Sequence, residues 1–102
     1  MESRHQLHDQ LKEICPNVYF QPPENYKLTY PCIIYTKSGL NEVYGDNIVY
    51  LRQQIYGIMV IDKNPDTKLH LDILNRFDNS RLENENVFDN LYHKSIRLYY
   101  KP

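Results

Sequence analysis

Apolar side chains recur at helical spacing near the start of the chain. The set is Leu7, Leu11 and Ile14. Ser3 and Gln6 precede it in the order of a capping box, which marks a helix start. Pro16 disfavours helical geometry in the residue before it, so we expect this helix to run from Ser3 to Cys15. Its single narrow apolar stripe predicts a helix that lies on a sheet.

Three later segments have the pattern of β-strands. Residues 31–36 are apolar, β-branched and short, which predicts a strand covered on both faces. Residues 48–61 form a long alternating strand, and both of its faces become apolar at Ile58–Ile61, where we expect cover on both sides. Residues 92–100 alternate as in a half-covered strand, and we expect them to pair with the long one.

Turn and cap residues place the remaining elements. Lys37–Asn47 contains Gly39 and Gly45 but no two-residue hairpin signature, which predicts a long, mobile connection. This connection is the best candidate for a loop that contacts a partner. A second helix is expected from Pro65 to Arg76, because a capping residue, Asn64, stands immediately before a proline.

The element order indicates one α+β domain that spans residues 1–102. The polar, asparagine-rich chain after the second helix leaves room only for a short strand near Arg81–Glu83, and Asn17–Phe20 is a short extended piece. We therefore predict a mainly antiparallel sheet of about four strands with two helices packed on it. A chain of 102 residues is long enough for one hydrophobic core and too short for two.

Composition and charge narrow the functional classes. The net charge is −1, and the basic residues are scattered among acidic ones, whereas phosphate binding needs a basic stripe. The longest apolar runs are far below the ~20 residues that span a bilayer, and the polar start lacks the apolar core of a secretory signal. Two cysteines, Cys15 and Cys32, are expected to be buried thiols of a protein made in a reducing cytoplasm.

No group of side chains has the spacing of a catalytic, metal or cofactor site. His5 and His8 lie three residues apart on the first helix, but no further ligand follows at zinc-site spacing. Acidic neighbours such as Glu83 and Glu85 lie in polar turns, where solvation keeps both ionised. Cys15 ends a helix without positive surroundings, so its thiol pKa has no reason to fall. We therefore expect neither an enzyme nor a cofactor.

Tyrosine is the unusual residue of this chain. There are ten tyrosines, three phenylalanines and no tryptophan. Tyrosine has a large apolar body and a polar tip, which suits positions that lie half in a core and half in an interface. Most are expected to be strand residues, which leaves a few for partner contacts. Tyr50 and Tyr56 share a strand face with Arg52, an arrangement that also fits binding of single-stranded nucleic acid by base stacking. No lysine-rich groove accompanies these rings, so this stays a minor alternative.

Several segments together resemble the small tail-completion, or tail-terminator, proteins of long-tailed bacteriophages. They are PNVYFQPP, YPCIIY, the Tyr44–Asn47 turn with Tyr50 after it, YGIMVIDKNPD and FDNLYHKSIRLYY. The resemblance covers the chain from about Leu7 to Tyr100, and its order of elements agrees with the one predicted above.

The resemblance implies a structural virion protein of the tail and neck. Such proteins form a ring, expected to be a hexamer, that caps the head-proximal end of the tail tube, stops its growth and joins the neck. Its partners would be copies of itself, the tail tube protein and a neck or head-completion protein, with DNA passing through the lumen without specific binding and no membrane contact. The expected contact residues are Tyr44, Asp46, Asn47, Tyr50, Arg52, Tyr56, Asp89, Asn90 and His93.

Other functions stay open at this point. A head-completion stopper or adaptor of the same neck would have similar surfaces. A small binding module, such as an antitoxin-like or regulatory domain, could use its tyrosines at a flat interface. An enzyme is the remaining class, and none of the expected constellations supports it.

Overall fold

The computed structural model describes residues 3–46 and 48–100, which form two helices and a five-stranded sheet. The elements are α1 (Ser3–Ile14), β1 (Val18–Phe20), β2 (Cys32–Gly45), β3 (Ile48–Asp62), α2 (Leu69–Arg76), β4 (Ser80–Phe88) and β5 (Leu91–Tyr100). The strand order is β1-β2-β3-β5-β4. β1 is parallel to β2, and all other neighbours are antiparallel. The predicted α+β class with two helices is confirmed, but the sheet is mixed and has one strand more than predicted.

Both helices pack on the same face of the sheet, which we call the helix face. Along β3 this face carries Tyr56, Ile58 and Val60, and along β5 it carries Ile96 and Leu98, all at most 1% exposed. The helices add apolar side chains to the same cluster: Leu7, Leu11, Ile73. The predicted pairing of the last strand with the long one is confirmed, as is the core-facing side of β5.

The opposite face, which we call the open face, is covered by neither of the two described helices. Ile34 and Met59 are only half-buried there and Thr36 is exposed, whereas Cys32 and Ile61 are buried. The prediction that residues 31–36 and the end of β3 are covered on both faces is therefore right only at one end of these strands. Apolar runs do not distinguish a face covered by a helix from one left to solvent.

The second helix starts later than predicted, at Leu69, and ends at Arg76 as predicted. Asn64 closes a turn in front of it: its side-chain Oδ1 accepts a hydrogen bond from the Asp66 amide at 3.0 Å, and its carbonyl accepts one from Thr67 at 3.3 Å. The asparagine–proline signal thus marks a turn that leads into the helix, since asparagine side chains also bond their own local backbone.

A nine-residue strand, β4, replaces the short strand predicted at Arg81–Glu83. It is an edge strand and largely exposed, and its polar residues from Glu83 to Asn86 interrupt any hydrophobic alternation. It joins β5 through Asp89 and Asn90, whose φ angles are 52° and 61°. Two consecutive positive φ angles fit the tight hairpin turns that Asn and Asp tolerate.

A row of aromatic rings crosses the helix face. Tyr35 of β2 and Tyr56 of β3 lie 5.9 Å apart between centroids, and Tyr100 of β5 lies 6.2 Å beyond Tyr56. Phe20 and Phe77 close the row at its two ends, at 4.9 Å and 6.2 Å from their neighbours. Tilted and edge-on pairs at these distances stabilise a core beyond their buried area. Tyr56, predicted as a contact residue, therefore lies in the core, and that prediction is wrong.

His70 of α2 is buried, and its Nδ1 atom has no hydrogen-bond partner among the described residues. Burial, and then the charge of Lys94, lower the pKa of His70, against smaller opposing effects of Glu85 and Asp72. The folded state therefore holds this ring in its neutral form.

Replacing Tyr56 by alanine should lower the free energy of unfolding by about 3–5 kcal/mol, because a large buried side chain leaves a cavity. The matched variant Tyr44→Ala removes a tyrosine that is 61% exposed, and its effect should stay within about 0.5 kcal/mol. Urea unfolding of both variants tests this pair. Equal effects would contradict the assignment of Tyr56 to the core.

Lowering the pH should destabilise the fold through His70. Its pKa is lowered on folding, so the unfolded chain binds the proton more readily, and stability present above a pH of about 6.5 is lost as the pH falls. We expect His70→Leu to flatten the dependence of unfolding free energy on pH between about 7 and 5. Urea unfolding across this range measures it, and an unchanged slope would contradict the role of His70.

Candidate interaction surfaces

A two-stranded ribbon extends from the sheet and is called the arm, residues 37–45 and 48–53. β1 pairs with β2 only as far as Tyr35, and β5 pairs with β3 only from Gln54 onwards. Beyond these points β2 and β3 have only each other as neighbours among the residues that the structure describes. The molecule is accordingly 50 Å long and 24 Å across in the other two directions. Two-stranded ribbons are marginally stable alone, so this one gains most from a partner.

The arm replaces the mobile connection predicted over Lys37–Asn47. Gly39, one of the two glycines behind that prediction, lies in a β-bulge where Ser38 has no partner in β3, and its φ angle is 154°. Bulges commonly carry glycine without ending the strand. The sequence signal for a turn was therefore real, but it marks an irregularity within a strand. Asn47 lies outside the described residues.

Where the arm joins the main sheet, side-chain amides of two glutamines form hydrogen bonds with backbone groups. The Gln54 Nε2 atom donates hydrogen bonds to the carbonyls of Gly39, at 2.6 Å, and Ile55, at 3.2 Å. On the outer edge, the Lys37 amide donates to the Gln21 Oε1 atom at 3.1 Å. These bonds satisfy polar groups where the main sheet ends, so the arm leaves the body in a defined direction.

Exposed apolar side chains lie along the arm around one ion pair. Leu40, Tyr44 and Ile48 are 55%, 61% and 65% exposed. Between them the Glu42 carboxylate accepts hydrogen bonds from Arg52 Nε at 2.8 Å and from the Tyr44 hydroxyl at 3.4 Å. Because the two charges face each other across the strands, they compensate one another. The register puts Leu40 and Tyr44 on the face of Glu42, and Ile48, the partner of Gly45, on the other face. The arm is therefore apolar with little uncompensated charge, which suits contact with another protein.

A second apolar patch lies at the opposite end of the sheet. Val87 and Phe88, beside the Asp89–Asn90 turn, are 62% and 68% exposed, and we call these four residues the β4–β5 tip. β5 runs antiparallel to β3, so the tip lies by Asp62, whereas the arm lies at the other end of this pairing, next to Gln54. Together the arm and the tip hold five of the seven exposed large apolar side chains found among the described residues.

Five of the predicted contact residues lie at these two ends. Tyr44 and Arg52 lie on the arm, Asp46 lies in the turn at its end, and Asp89 and Asn90 form the turn of the tip. His93 lies on the open face, half-buried, and its Nδ1 atom is 3.1 Å from the Leu91 carbonyl.

Two of the predicted contacts, Asn47 and the side chain of Tyr50, lie outside what the structure describes. The sequence reasoning missed the apolar members of both ends: Leu40, Ile48, Val87, Phe88. The sequence shows each of them as an apolar residue at a strand or near a turn, but exposure cannot be inferred from an apolar residue alone.

The described residues hold no group of three or more His, Cys, Asp or Glu side chains placed to bind a metal ion. Cys15 and Cys32 are free and buried, which confirms the thiol prediction. Burial raises the pKa of the Cys32 thiol to about 12, and burial also raises the pKa of Cys15. Both thiols are therefore protonated near neutral pH, a form that is a poor nucleophile.

Two concave regions border the sheet. An open groove of about 680 Å³ lies between α1, the end of α2 and the end of β5, and its lining includes Gln6, Asp9 and Arg76. A depression of about 220 Å³ on the open face surrounds Gly57 and Met59. Neither brings together a nucleophile, a base and an oxyanion donor, which a hydrolytic site needs.

No helix among the described residues combines the length and the apolar character needed to cross a membrane. Comparisons of the chain with protein-family models, with curated proteins and with solved structures find no match. The resemblance to phage tail-completion proteins therefore stays a prediction.

Backbone amides of the arm should exchange with solvent faster than those of the sheet. We expect amide hydrogens of Asn41 and Arg52 to exchange at least about 100-fold faster than those of Ile58 and Ile96, because the ribbon opens locally without unfolding the core. Hydrogen exchange followed by NMR on the dilute protein tests this. Similar protection at all four sites would contradict a ribbon supported only by its own two strands.

Proposed function

We propose that this protein is a structural virion protein, a tail terminator whose copies form a closed ring on the head-proximal end of a phage tail tube. The observation that carries the proposal is the arm, which places exposed Leu40, Tyr44 and Ile48 outside the core. Large apolar side chains on a ribbon without a third strand favour a role in which another protein covers them.

The position of the second apolar patch supports a ring of like subunits. The arm and the β4–β5 tip are different surfaces at opposite ends of one chain. Contact between two different surfaces of identical subunits is heterologous, and it repeats until the ring closes or a filament forms. A terminator needs such a closed repeat, which matches the circular end of a tube. A hexamer is the copy number that the resemblance implies.

The charges support a protein partner and a lumen that lets DNA pass. Glu42 is paired with Arg52, Glu83 with Arg97 and Glu85 with Lys94, at 2.8, 3.0 and 2.7 Å. Cations already held by carboxylates of the same chain are less available to phosphates, and the net charge is −1. In this proposal the ring binds the tube protein on one side and a neck protein on the other, and it has no catalytic step.

Removing the gene from the phage should yield tails of abnormal length, because nothing stops polymerisation of the tube. Electron micrographs of lysates measure the length distribution. Supplying the protein in trans should restore one length. The triple variant Leu40→Ser, Tyr44→Ser and Ile48→Ser should fail to restore it, whereas Leu71→Ser, which alters an exposed leucine away from both ends, should succeed.

The same micrographs separate the alternatives. Free tails of normal length beside heads that leak DNA would reject termination and favour the head-completion stopper. Infectious particles of normal appearance from the deletion phage would reject a virion role altogether. The triple variant must also show the unfolding free energy of the unaltered protein, since only then does its failure report on the surface.

A further inference from the structure

We propose that the arm of one copy docks along the free edge of β4 in the next copy, so that the two sheets become continuous. This inference rests on the proposed ring and names the contact that would build it. The partner is thus a second copy of this chain, and the contact joins two strands by backbone hydrogen bonds with apolar side chains beside them.

β4 offers the edge. It is the last strand of the sheet, so one side of its backbone has no neighbouring strand. A bulge at Glu83 interrupts its pairing with β5, but Asn84–Phe88 pairs without interruption. Bulges and charges protect edges against unwanted pairing, and both are concentrated in the first half of β4. The second half ends in exposed Val87 and Phe88, and it is the part left open to another strand.

The arm offers the matching edge. Within the described ranges, the Lys37 amide is the last outer group of β2 with a bond to its own chain, through Gln21, and residues 38–45 continue with that side free. This stretch contains no proline and one charged residue, Glu42. A free strand edge is the natural complement of another, because each supplies the donors and acceptors that the other lacks.

The two edges of a single copy lie too far apart to meet. Along β3, residues of the arm begin where pairing with β5 stops, at Gln54, while the exposed end of β4 lies beyond Asp62. The contact must therefore join two copies. It pairs unlike surfaces, so each copy uses its arm on one neighbour and its β4 on the other.

The charges along these edges favour a second copy of this chain over a strongly charged ligand. The carboxylates of Glu42 and Glu85 each have a cation of the same chain within 2.8 Å. Docking two such surfaces leaves both ion pairs in place and buries neither Glu42 nor Glu85 as an unpaired charge, whereas a strongly charged ligand would have to displace the paired cations.

Disulfide trapping tests the contact with three matched variants. Asn41→Cys places a thiol on the arm, Asn86→Cys places one on the second half of β4, and Asn75→Cys places one on exposed α2 as the control. Each is mixed, under mild oxidation, with a second variant that carries a mass tag. The native cysteines are buried. The unaltered protein, treated in the same way, measures the background of cross-linking through them.

We expect the mixture of Asn41→Cys and Asn86→Cys to form the cross-linked heterodimer at least about tenfold faster than either forms a homodimer or joins Asn75→Cys. Adding Tyr44→Ser or Phe88→Ser should reduce this rate by about tenfold, as loss of an interface anchor does. Adding Leu71→Ser should leave it unchanged.

The other outcomes overturn the proposed contact. Homodimers of Asn86→Cys in excess would show edge-to-edge pairing of β4, and homodimers of Asn41→Cys would show pairing of two arms. Equal cross-linking to Asn75→Cys, or none above background, would show that the arm does not dock on β4. The tail lengths of the deletion phage decide the terminator role separately, so the contact can fail while that role stands.

Discussion

Tyr35 and Tyr56 pack against each other under the helices, and the arm depends on that contact. They are the last buried residues of β2 and β3 before both strands leave the body, with ring centroids 5.9 Å apart. His8 of α1 holds the Tyr35 hydroxyl at 2.7 Å, so the first helix also fixes the position of this ring. Because the arm continues these same strands, its direction is set by the core and not by a flexible joint.

The large exposed apolar side chains are distributed unevenly over the surface, and the position of the helices explains this. Both helices cover one face of the sheet, and most of the large exposed apolar side chains of the described residues lie at the strand ends and on the edge strand. The arm and the β4–β5 tip are extensions of strands whose other ends lie in the core. A chain of this size can thus keep a buried centre while it exposes two separate apolar surfaces.

The candidate surfaces could be predicted only in part, and the failures share one cause. Tyr44, Asp46 and Arg52 lie on or at the end of the ribbon that extends from the body, and their role as contact residues stays a prediction. Tyr56 is predicted on the same strand face as Arg52. The strand passes from the arm into the core between Gln54 and Tyr56, and there this face turns from solvent to the helices. Alternation identifies which residues share a face, but it does not say where along the strand the cover begins.

The sequence by itself determined the elements whose periodicity is strong: α1, the long strand β3, the end of α2 at Arg76 and the core-facing side of β5. Local spacing suffices for these, because one helix face or strand face must be apolar wherever the core lies. Only the tertiary structure decided that β4 is a full strand, that β2 continues past Gly39, and that the open face has no helix. These features depend on which strands become neighbours, and edge strands and two-stranded ribbons bury too little apolar surface to leave a hydrophobic pattern in the chain.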